Sequence, residues 1–355
     1  MKNDVVGVGL IGCGGFSGDM ADVVKRSKKA ELIACFDIIP EKREEFSKRY
    51  VCDYEKNYEA VLERSDIDGV ILVSPNSLHA EQTILAAEHG KHVLVQKPIA
   101  NLISDARRMI EACHKNGVIL SVAHNQRRLA AYRKMKNMVE TGSLGKTVMV
   151  ETNFSHNAGF RLTPQAWRWY EAECPGGPIM TNGIHAADTL QYLLGPIQSV
   201  TSYLQRLCIS AEIIDTGMSI FEFESGTLGY LGSNFVTPWV YYFNLYGTEA
   251  NLYFTADLPP RRSQAPGQYR FDWNHADHYS DLYLKPKGEH KRIKLDLKSG
   301  EALLEEMEEF ADCIRCGRSP EVSGQEGMQA LAVILAVIRS AKSGKPIKIS
   351  EILEE

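Results

Sequence analysis

Val5-Val6-Gly7-Val8-Gly9-Leu10-Ile11-Gly12-Cys13-Gly14-Gly15-Phe16-Ser17 decides how the first part of the chain folds. A strand-length apolar run breaks into glycines and then into the helix-compatible segment Gly18-Asp19-Met20-Ala21-Asp22-Val23-Val24-Lys25. The spacing Gly-x-Gly-x-x-Gly occurs literally at Gly7, Gly9 and Gly12, yet its first two glycines fall inside the strand, where no phosphate meets a helix N-terminus. A dinucleotide needs a strand, a tight glycine turn, and a helix whose first N–H groups face the pyrophosphate. Gly12-Cys13-Gly14-Gly15-Phe16-Ser17 meets that requirement. Gly12 permits the turn, Gly14 lets backbone approach phosphate, Gly15 and Phe16 bring the first N–H groups, and Ser17 is small enough for close helix packing.

Working outward, residues 5–124 alternate strand-like runs (VVGVGLI, ELIACFD, GVILVSP, HVLVQKP, VILSVAH) with amphipathic helical segments. Such alternation predicts a parallel sheet with helices on both faces, a Rossmann domain over residues 1–124. The second strand ends in Asp37, 37 − 14 = 23 positions past the second turn glycine. A carboxylate there accepts the adenosine ribose hydroxyls and repels a 2′-phosphate, so NAD is expected over NADP, with Lys42 and Arg43 the nearby cations that weigh the other way. Ser74, Pro75, Asn76 and His79 follow the GVILV strand, and Gln96 and Lys97 follow HVLV, at the strand ends where doubly wound sheets hold ligands. Asn125, with His124, closes the sixth position of the pattern. Pro98 fixes its own φ and restricts Lys97.

Past residue 124 the pattern changes. A helix near 131–141 gives way to runs of period two (TVMVETNF, SVTSYLQR, TGMSIFEFE, TLGYLGSNF, WVYYFNLYG, NLYF), with a hairpin turn at Glu224-Ser225-Gly226. Residues 125–355 are therefore expected to form an α+β domain on a large, mainly antiparallel open sheet. Residues 255–290 read as long loops, and two helices, near 300–315 and 326–342, as the closing elements, free to pack back on the first domain. A sheet with one uncovered face is expected to bury it against a second copy, as a homodimer or homotetramer.

With 355 residues, 40 Lys and Arg, 45 Asp and Glu and a net charge of −5, the chain carries no basic stripe for a nucleic-acid backbone. It has no apolar stretch of membrane-spanning length and starts directly into a strand; with eight scattered cysteines this points to a reduced, cytoplasmic protein. Cys313-Ile314-Arg315-Cys316 is a lone Cys-x-x-Cys without a second pair, and His275 and His278 lack neighbouring ligands, so no metal is expected.

The series GLIGCGG, FD, SPNSLHAEQTILAAEHGKHVLVQKPIA, Arg127-Arg128 and GGPIMTNGIHAAD resembles the Gfo/Idh/MocA oxidoreductase family along nearly the whole chain. The resemblance implies an NAD-dependent oxidoreductase that moves a hydride between nicotinamide and a secondary hydroxyl or keto carbon of a sugar, glycoside or inositol. Where the family usually has Glu-Lys-Pro, this chain has Gln96-Lys97-Pro98. Where it usually has an acid four residues before a histidine, this chain has Thr181, then Asn182, Gly183, Ile184 and His185. The resemblance assigns His185 as general acid/base and Lys97 as its partner; Asp188, three residues on, is near enough on a helix to orient the ring.

Imidazole suits the proton transfer, with an unperturbed pKa of about 6.5. For the substrate, Asn153, His156, Arg161, Trp167, Arg168, Tyr170, Asn182 and Arg128 mix planar apolar faces with hydrogen-bond donors, as a sugar or polyol requires. Two rivals remain open at this point: a redox-neutral glycoside-cleaving enzyme that recycles NAD, and a non-catalytic regulator that senses NAD and sugar.

Overall fold

The computed structural model describes residues 5–262, 269–271 and 273–355. By its internal contacts the chain divides into two units, Met1–Asn125 with Ala302–Met328 and Gln126–Glu301 with Gln329–Glu355.

In the first unit the apolar runs become β1 (Val6–Ile11), β2 (Ala30–Phe36), β3 (Asp53–Tyr54), β4 (Gly69–Leu72), β5 (His92–Gln96) and β6 (Leu120–Ala123). They pair in parallel in the order β3-β2-β1-β4-β5-β6, which makes the Rossmann sheet expected, with the two-residue β3 as an addition. Between them run α1 (Ser17–Arg26), α2 (Pro40–Tyr50), α3 (Tyr58–Leu62), α4 (His79–Glu88) and α5 (Ile103–Lys115). Every residue of β1 is buried, as a strand covered on both faces must be. The decoy glycines are spent on packing: a Cβ at Gly7 would lie 2.0 Å from the Asp66 carbonyl oxygen. The strand order turns back between the parallel neighbours β1 and β4, with β2 and β3 on one side and β5 and β6 on the other, so the space past their C-terminal ends is where such sheets receive ligands. Late residues complete this unit. Val122 donates its N–H to the Val322 carbonyl at 2.9 Å, and the helix Ala302–Cys316 packs on α1 beside a Lys29–Asp312 ion pair of 2.7 Å.

The second unit has α6 (Ala130–Glu140) and α7 (Ile184–Leu194) beside a nine-stranded sheet. Its strands, in chain order, are β7 (Thr147–Ser155), β8 (Ile197–Gln205), β9 (Thr216–Phe223), β10 (Leu228–Asn234), β11 (Val240–Gly247) and β12 (Ala250–Ala256). After the separate hairpin β13 (Pro260–Arg262) and β14 (Tyr269–Phe271) come β15 (Ser280–Pro286), β16 (Ile293–Lys294) and β17 (Ile347–Lys348). The sheet order is β16-β15-β12-β11-β7-β10-β9-β8-β17, antiparallel except where β10 runs parallel to β7. The turn at 224–226 joins β9 to β10, with Gly226 at φ 80° supplying the left-handed position.

One expectation fails here. Residues 255–290 are not long loops throughout: β15 pairs with β12 along its whole length, and Trp273–Tyr279 is a 3₁₀ segment, while 263–268 and 272 lie outside the described residues. Proline and charged residues masked a strand whose register is set by its partner rather than by its own pattern. The closing helices run over Ala302–Cys316 (α8) and Gly324–Ser343 (α9), followed by a short α10 (Ile349–Leu353).

Alternation sorts the large sheet into two faces. Val150, Phe154, Phe221, Phe223, Leu231, Phe243, Leu245, Leu252 and Phe254 are buried on the inner side with Tyr132 of α6. The other side leaves Tyr203 70% exposed, Ile220 61%, Leu228 53% and Met218 50%. These side chains adjoin across the strands, since Tyr203 faces Met218 and Leu228 faces Met149.

Candidate active site

Gly12, at φ +95°, begins the turn after β1; a Cβ there would meet the Val73–Ser74 backbone at 3.0 Å. Gly14 is exposed, and a Cβ on it would meet nothing within 4 Å. Ser17 closes the turn by donating its hydroxyl to the Gly14 carbonyl at 2.6 Å, and Phe16 takes the N-cap position of α1 after Gly15. Bare backbone over open space at a helix start is what a pyrophosphate requires, so the residues present fit a dinucleotide.

Asp37 holds this turn in place. Its carboxylate accepts the N–H of Cys13 at 2.8 Å and of Ile39 at 2.9 Å. Arg43 donates to the Asp37 carbonyl oxygen at 3.1 Å, which sets a guanidinium beside the acid.

At the neighbouring strand ends, His79 at the start of α4 is fully buried, with Nδ1 3.0 Å from the Pro98 carbonyl and Nε2 3.1 Å from the Ser74 carbonyl. Burial lowers its pKa, against the pull of the carbonyls that face it. The imidazole thus ties the loop after β4 to the loop after β5, where half-buried Lys97 stands. Ser74 gives its hydroxyl to Gln82 at 2.6 Å, Pro75 precedes a short 3₁₀ turn, and Asn76 reaches Asn101 at 3.4 Å. Gln96 does not point out beside Lys97: its amide is buried 3.6 Å from the Met20 sulfur on α1.

In the second unit, the segment before α7 is a π-helical turn, Ile179–Gly183, a form common at functional sites. It carries Thr181, whose hydroxyl returns to the Gly177 carbonyl at 3.1 Å, and Asn182. The Asn182 amide lies 3.2 Å from Nε2 of His156, whose Nδ1 accepts the Ala158 N–H at 3.2 Å. Burial pushes the His156 pKa down to about 4; the Asn182 contact opposes this and the nearby charge of Arg168 adds to it.

His185 opens α7, 7% exposed, with its ring stacked on Trp273 at 6.3 Å and 27° between planes. Trp273 in turn meets Phe154 and Tyr241 edge-on.

Known proteins resemble this arrangement at two levels. Residues 6–124 match the oxidoreductase family with NAD-binding Rossmann fold, and residues 132–253 match the GFO/IDH/MocA C-terminal domain. The chain belongs to the Gfo/Idh/MocA oxidoreductase family. A solved structure from Desulfitobacterium hafniense DCB-2, described as a candidate NADPH-dependent oxidoreductase, is 36% identical, covers 99% of this chain and 100% of its own, and superposes with a TM-score of 0.92. The 1,5-anhydro-D-fructose reductase of Ensifer adhaerens is 28% identical over 80% of each chain. The 2,7-anhydro-N-acetylneuraminate hydratase of Escherichia coli K12 is 26% identical over 99% of each. This Gfo/Idh/MocA protein is thus an NAD(P)-binding oxidoreductase homologous to inositol and other sugar dehydrogenases.

The structure regroups several residues singled out from the sequence. Asp188 does not orient His185. Both of its oxygens accept from buried Arg127, at 2.9 Å from Nε and 2.5 Å from Nη2, the bidentate match of a planar guanidinium to a carboxylate. Asn153 does not join His156 and Asn182: on β7 it alternates with buried Thr152 and Phe154, and it accepts the Ser155 hydroxyl at 2.6 Å. Arg128 and His124 are buried, at 4% and 0% exposure, and Asn125 begins the 3₁₀ turn that leads to Arg128.

Arg161 is exposed, Tyr170 gives its hydroxyl to Pro164 at 2.9 Å, and Arg168 lies over the Trp167 ring at 4.4 Å. Trp273, stacked on His185, was hidden within a stretch that reads as loop. Its only signal was a tryptophan isolated among polar residues. Among the described residues no group of three His, Cys, Asp or Glu could hold a metal ion, and no helix is long and apolar enough to cross a membrane.

Proposed function

We propose that this protein moves a hydride between a nicotinamide cofactor and a secondary hydroxyl or keto carbon of a sugar or polyol, with Lys97 and His185 in the roles that the resemblance assigns. The observation that carries the proposal is the exposed, unobstructed Gly14 turn at the start of α1, in the same unit as a lysine at the end of β5. Bound at that turn, the cofactor supplies the hydride acceptor. Lys97 hydrogen-bonds the substrate oxygen and stabilises developing negative charge on it, while His185 takes up the hydroxyl proton. Trp273 holds the His185 ring in plane by stacking. Asp37 supports NAD over NADP by like-charge repulsion of a 2′-phosphate, and calorimetry with both nucleotides measures that preference, since Arg43 stands close enough to oppose it.

The test is a panel of sugars, inositols and anhydro sugars followed by NADH absorbance. Lys97→Ala and His185→Ala each remove turnover, by about a thousandfold or more, while the nucleotide still binds. Full activity in either variant ends the assignment. A second reading, redox-neutral turnover with recycled cofactor, gains support from the hydratase name of the E. coli relative. It is told apart by product formation without net NADH.

The exposed apolar side of the large sheet supports a homodimer formed by two copies of that face, with Tyr203, Met218, Ile220 and Leu228 near the contact. Light scattering on the eluting protein measures its mass, and a monomer under all conditions removes this part.

A further inference from the structure

We infer that the Asn182 amide presents its NH₂ end to the substrate and donates to a sugar or polyol oxygen, with His156 the positioning residue that fixes the amide in this sense; this rests on the reading above and names how that site holds its substrate.

The proton on the His156 ring decides which end of the amide faces it. A backbone N–H can only donate, and that of Ala158 is directed at Nδ1 of His156 at 3.2 Å. Nδ1 therefore keeps its lone pair, and an imidazole with one bare nitrogen carries its hydrogen on the other. Burial, which pushes the His156 pKa down to about 4, agrees with a neutral ring. Nε2–H is thus a donor, and it lies 3.2 Å from the Asn182 amide. With Nδ2 on that side, two N–H donors would meet. The two ends of a carboxamide differ little in size, so the ring proton rather than shape selects the oxygen. The Phe154 carbonyl lies 3.4 Å from the same corner of the amide, but it already accepts the Ser233 hydroxyl at 2.8 Å and does not depend on Asn182.

Turning Oδ1 to the ring leaves both Nδ2 hydrogens on the far side. Among the described residues the Asn182 side chain has polar contacts with His156 and Phe154 alone, so no protein group accepts these hydrogens. Asn182 is 6% exposed, and a donor so buried carries a desolvation cost that a ligand oxygen removes.

The place is that of the proposed acid/base. Asn182 lies on the π-helical turn Ile179–Gly183, three residues before His185. The His156 ring stacks on Phe235 at 4.9 Å and meets Phe154 edge-on at 5.9 Å, which fixes its plane. Phe154 meets Trp273 at 5.7 Å, and Trp273 stacks on His185, so amide and acid/base share one aromatic cluster. What the amide offers is a pair of donors, and the group it recognises is therefore an oxygen acceptor: a hydroxyl, ring or keto oxygen.

The test has two arms, both on the full chain. Long-range ¹H–¹⁵N spectra of histidine-labelled protein at neutral pH read the His156 ring, assigned by its disappearance in His156→Gln. We expect a protonated Nε2 and a bare Nδ1; a protonated Nδ1 overturns the orientation. Calorimetry with NAD⁺ present and D-glucose, myo-inositol and 1,5-anhydro-D-glucitol as probes reads the substrate contact. At least one probe binds the unsubstituted protein, and Asn182→Ala weakens it about tenfold or more. His156→Phe, which keeps the stacking and has no N–H, weakens it by a similar factor, whereas His156→Gln, whose amide still donates to Oδ1, recovers most of the loss. In NADH absorbance the His156 variants raise KM and change kcat by less than about threefold. Melting curves check that each variant folds; if His156→Phe does not, the ring spectra and Asn182→Ala decide.

Unchanged affinity in Asn182→Ala overturns the substrate contact, and equal losses in His156→Phe and His156→Gln overturn the positioning role. NADH formation that Asn182→Ala leaves intact sinks this inference and spares hydride transfer; probe binding that needs Asn182 without any NADH does the reverse. No affinity for any probe overturns both the sugar reading and this contact.

Discussion

The glycine turn of the first unit and the imidazole cluster of the second are built from opposite materials. The turn is thirteen contiguous letters of sequence, and its working surface is backbone N–H over empty space, steadied by Asp37 at 2.8 Å from the Cys13 nitrogen. The cluster draws His156, Asn182 and His185, with Trp273, from three separated segments, and its working surface is largely buried side chains, with the basicity of His156 depressed by burial. A backbone site costs little stability and tolerates change in its surroundings. A side-chain site makes the unit around it sensitive to charge and pH.

The sharpest test of that difference is Asp188→Ala. It leaves the Arg127 guanidinium buried without its carboxylate and is expected to destabilise the second unit by about 3–5 kcal/mol, while the double variant Arg127→Met, Asp188→Leu recovers most of the loss. Urea unfolding followed by tryptophan fluorescence reads this, since all four tryptophans lie in the second unit. A loss within experimental error for Asp188→Ala would mean that the pair is not what holds α7 to the Arg127 turn.

The next effect is a pH dependence. His156 binds its proton at about 4 in the folded chain and at about 6.5 unfolded. Between these values the unfolded state binds more protons, so stability is fully present above the upper value and falls on acidification until the lower one. The expected loss is about 3 kcal/mol. His156→Gln flattens the part of the melting-temperature profile that lies in this window; an unchanged profile breaks the link between the cluster and acid sensitivity.

The smallest effects belong to the glycine turn. Gly12→Ala places a Cβ 3.0 Å from the Val73–Ser74 backbone at φ +95°, at a cost of about 1 kcal/mol or more. Gly14→Ala meets nothing within 4 Å and is expected to change stability by less than about 0.5 kcal/mol. It nevertheless weakens NAD⁺ binding by about tenfold, because the methyl occupies the approach of the phosphates. Unimpaired binding in Gly14→Ala would show that the open space is not the cofactor's.

Legibility followed the same division. β1, the glycine turn, α1 and Asp37 could be read because each depends on residues adjacent in the chain or on one strand repeat. His79 could be located but not understood, since its two carbonyl partners, Ser74 and Pro98, come from loops five and nineteen positions away. Gln96 reads as a cofactor contact at the end of its strand, yet the pleat of β5 sends its amide toward Met20. Asp188 reads as an orienter of His185 on helical spacing alone, and the competing guanidinium sits 61 residues away.

By itself the sequence determined the parallel sheet, its nucleotide turn, the antiparallel character of the second half and the oxidoreductase family, because steric limits on glycine and the two hydrophobic periods act over a few residues. Only the tertiary structure decided which face of β7 carries Asn153, that β15 is a strand, that Arg127 claims Asp188, and that Trp273 lies on His185. Those outcomes depend on which elements meet, and contact energies between distant segments leave no periodic trace in the chain.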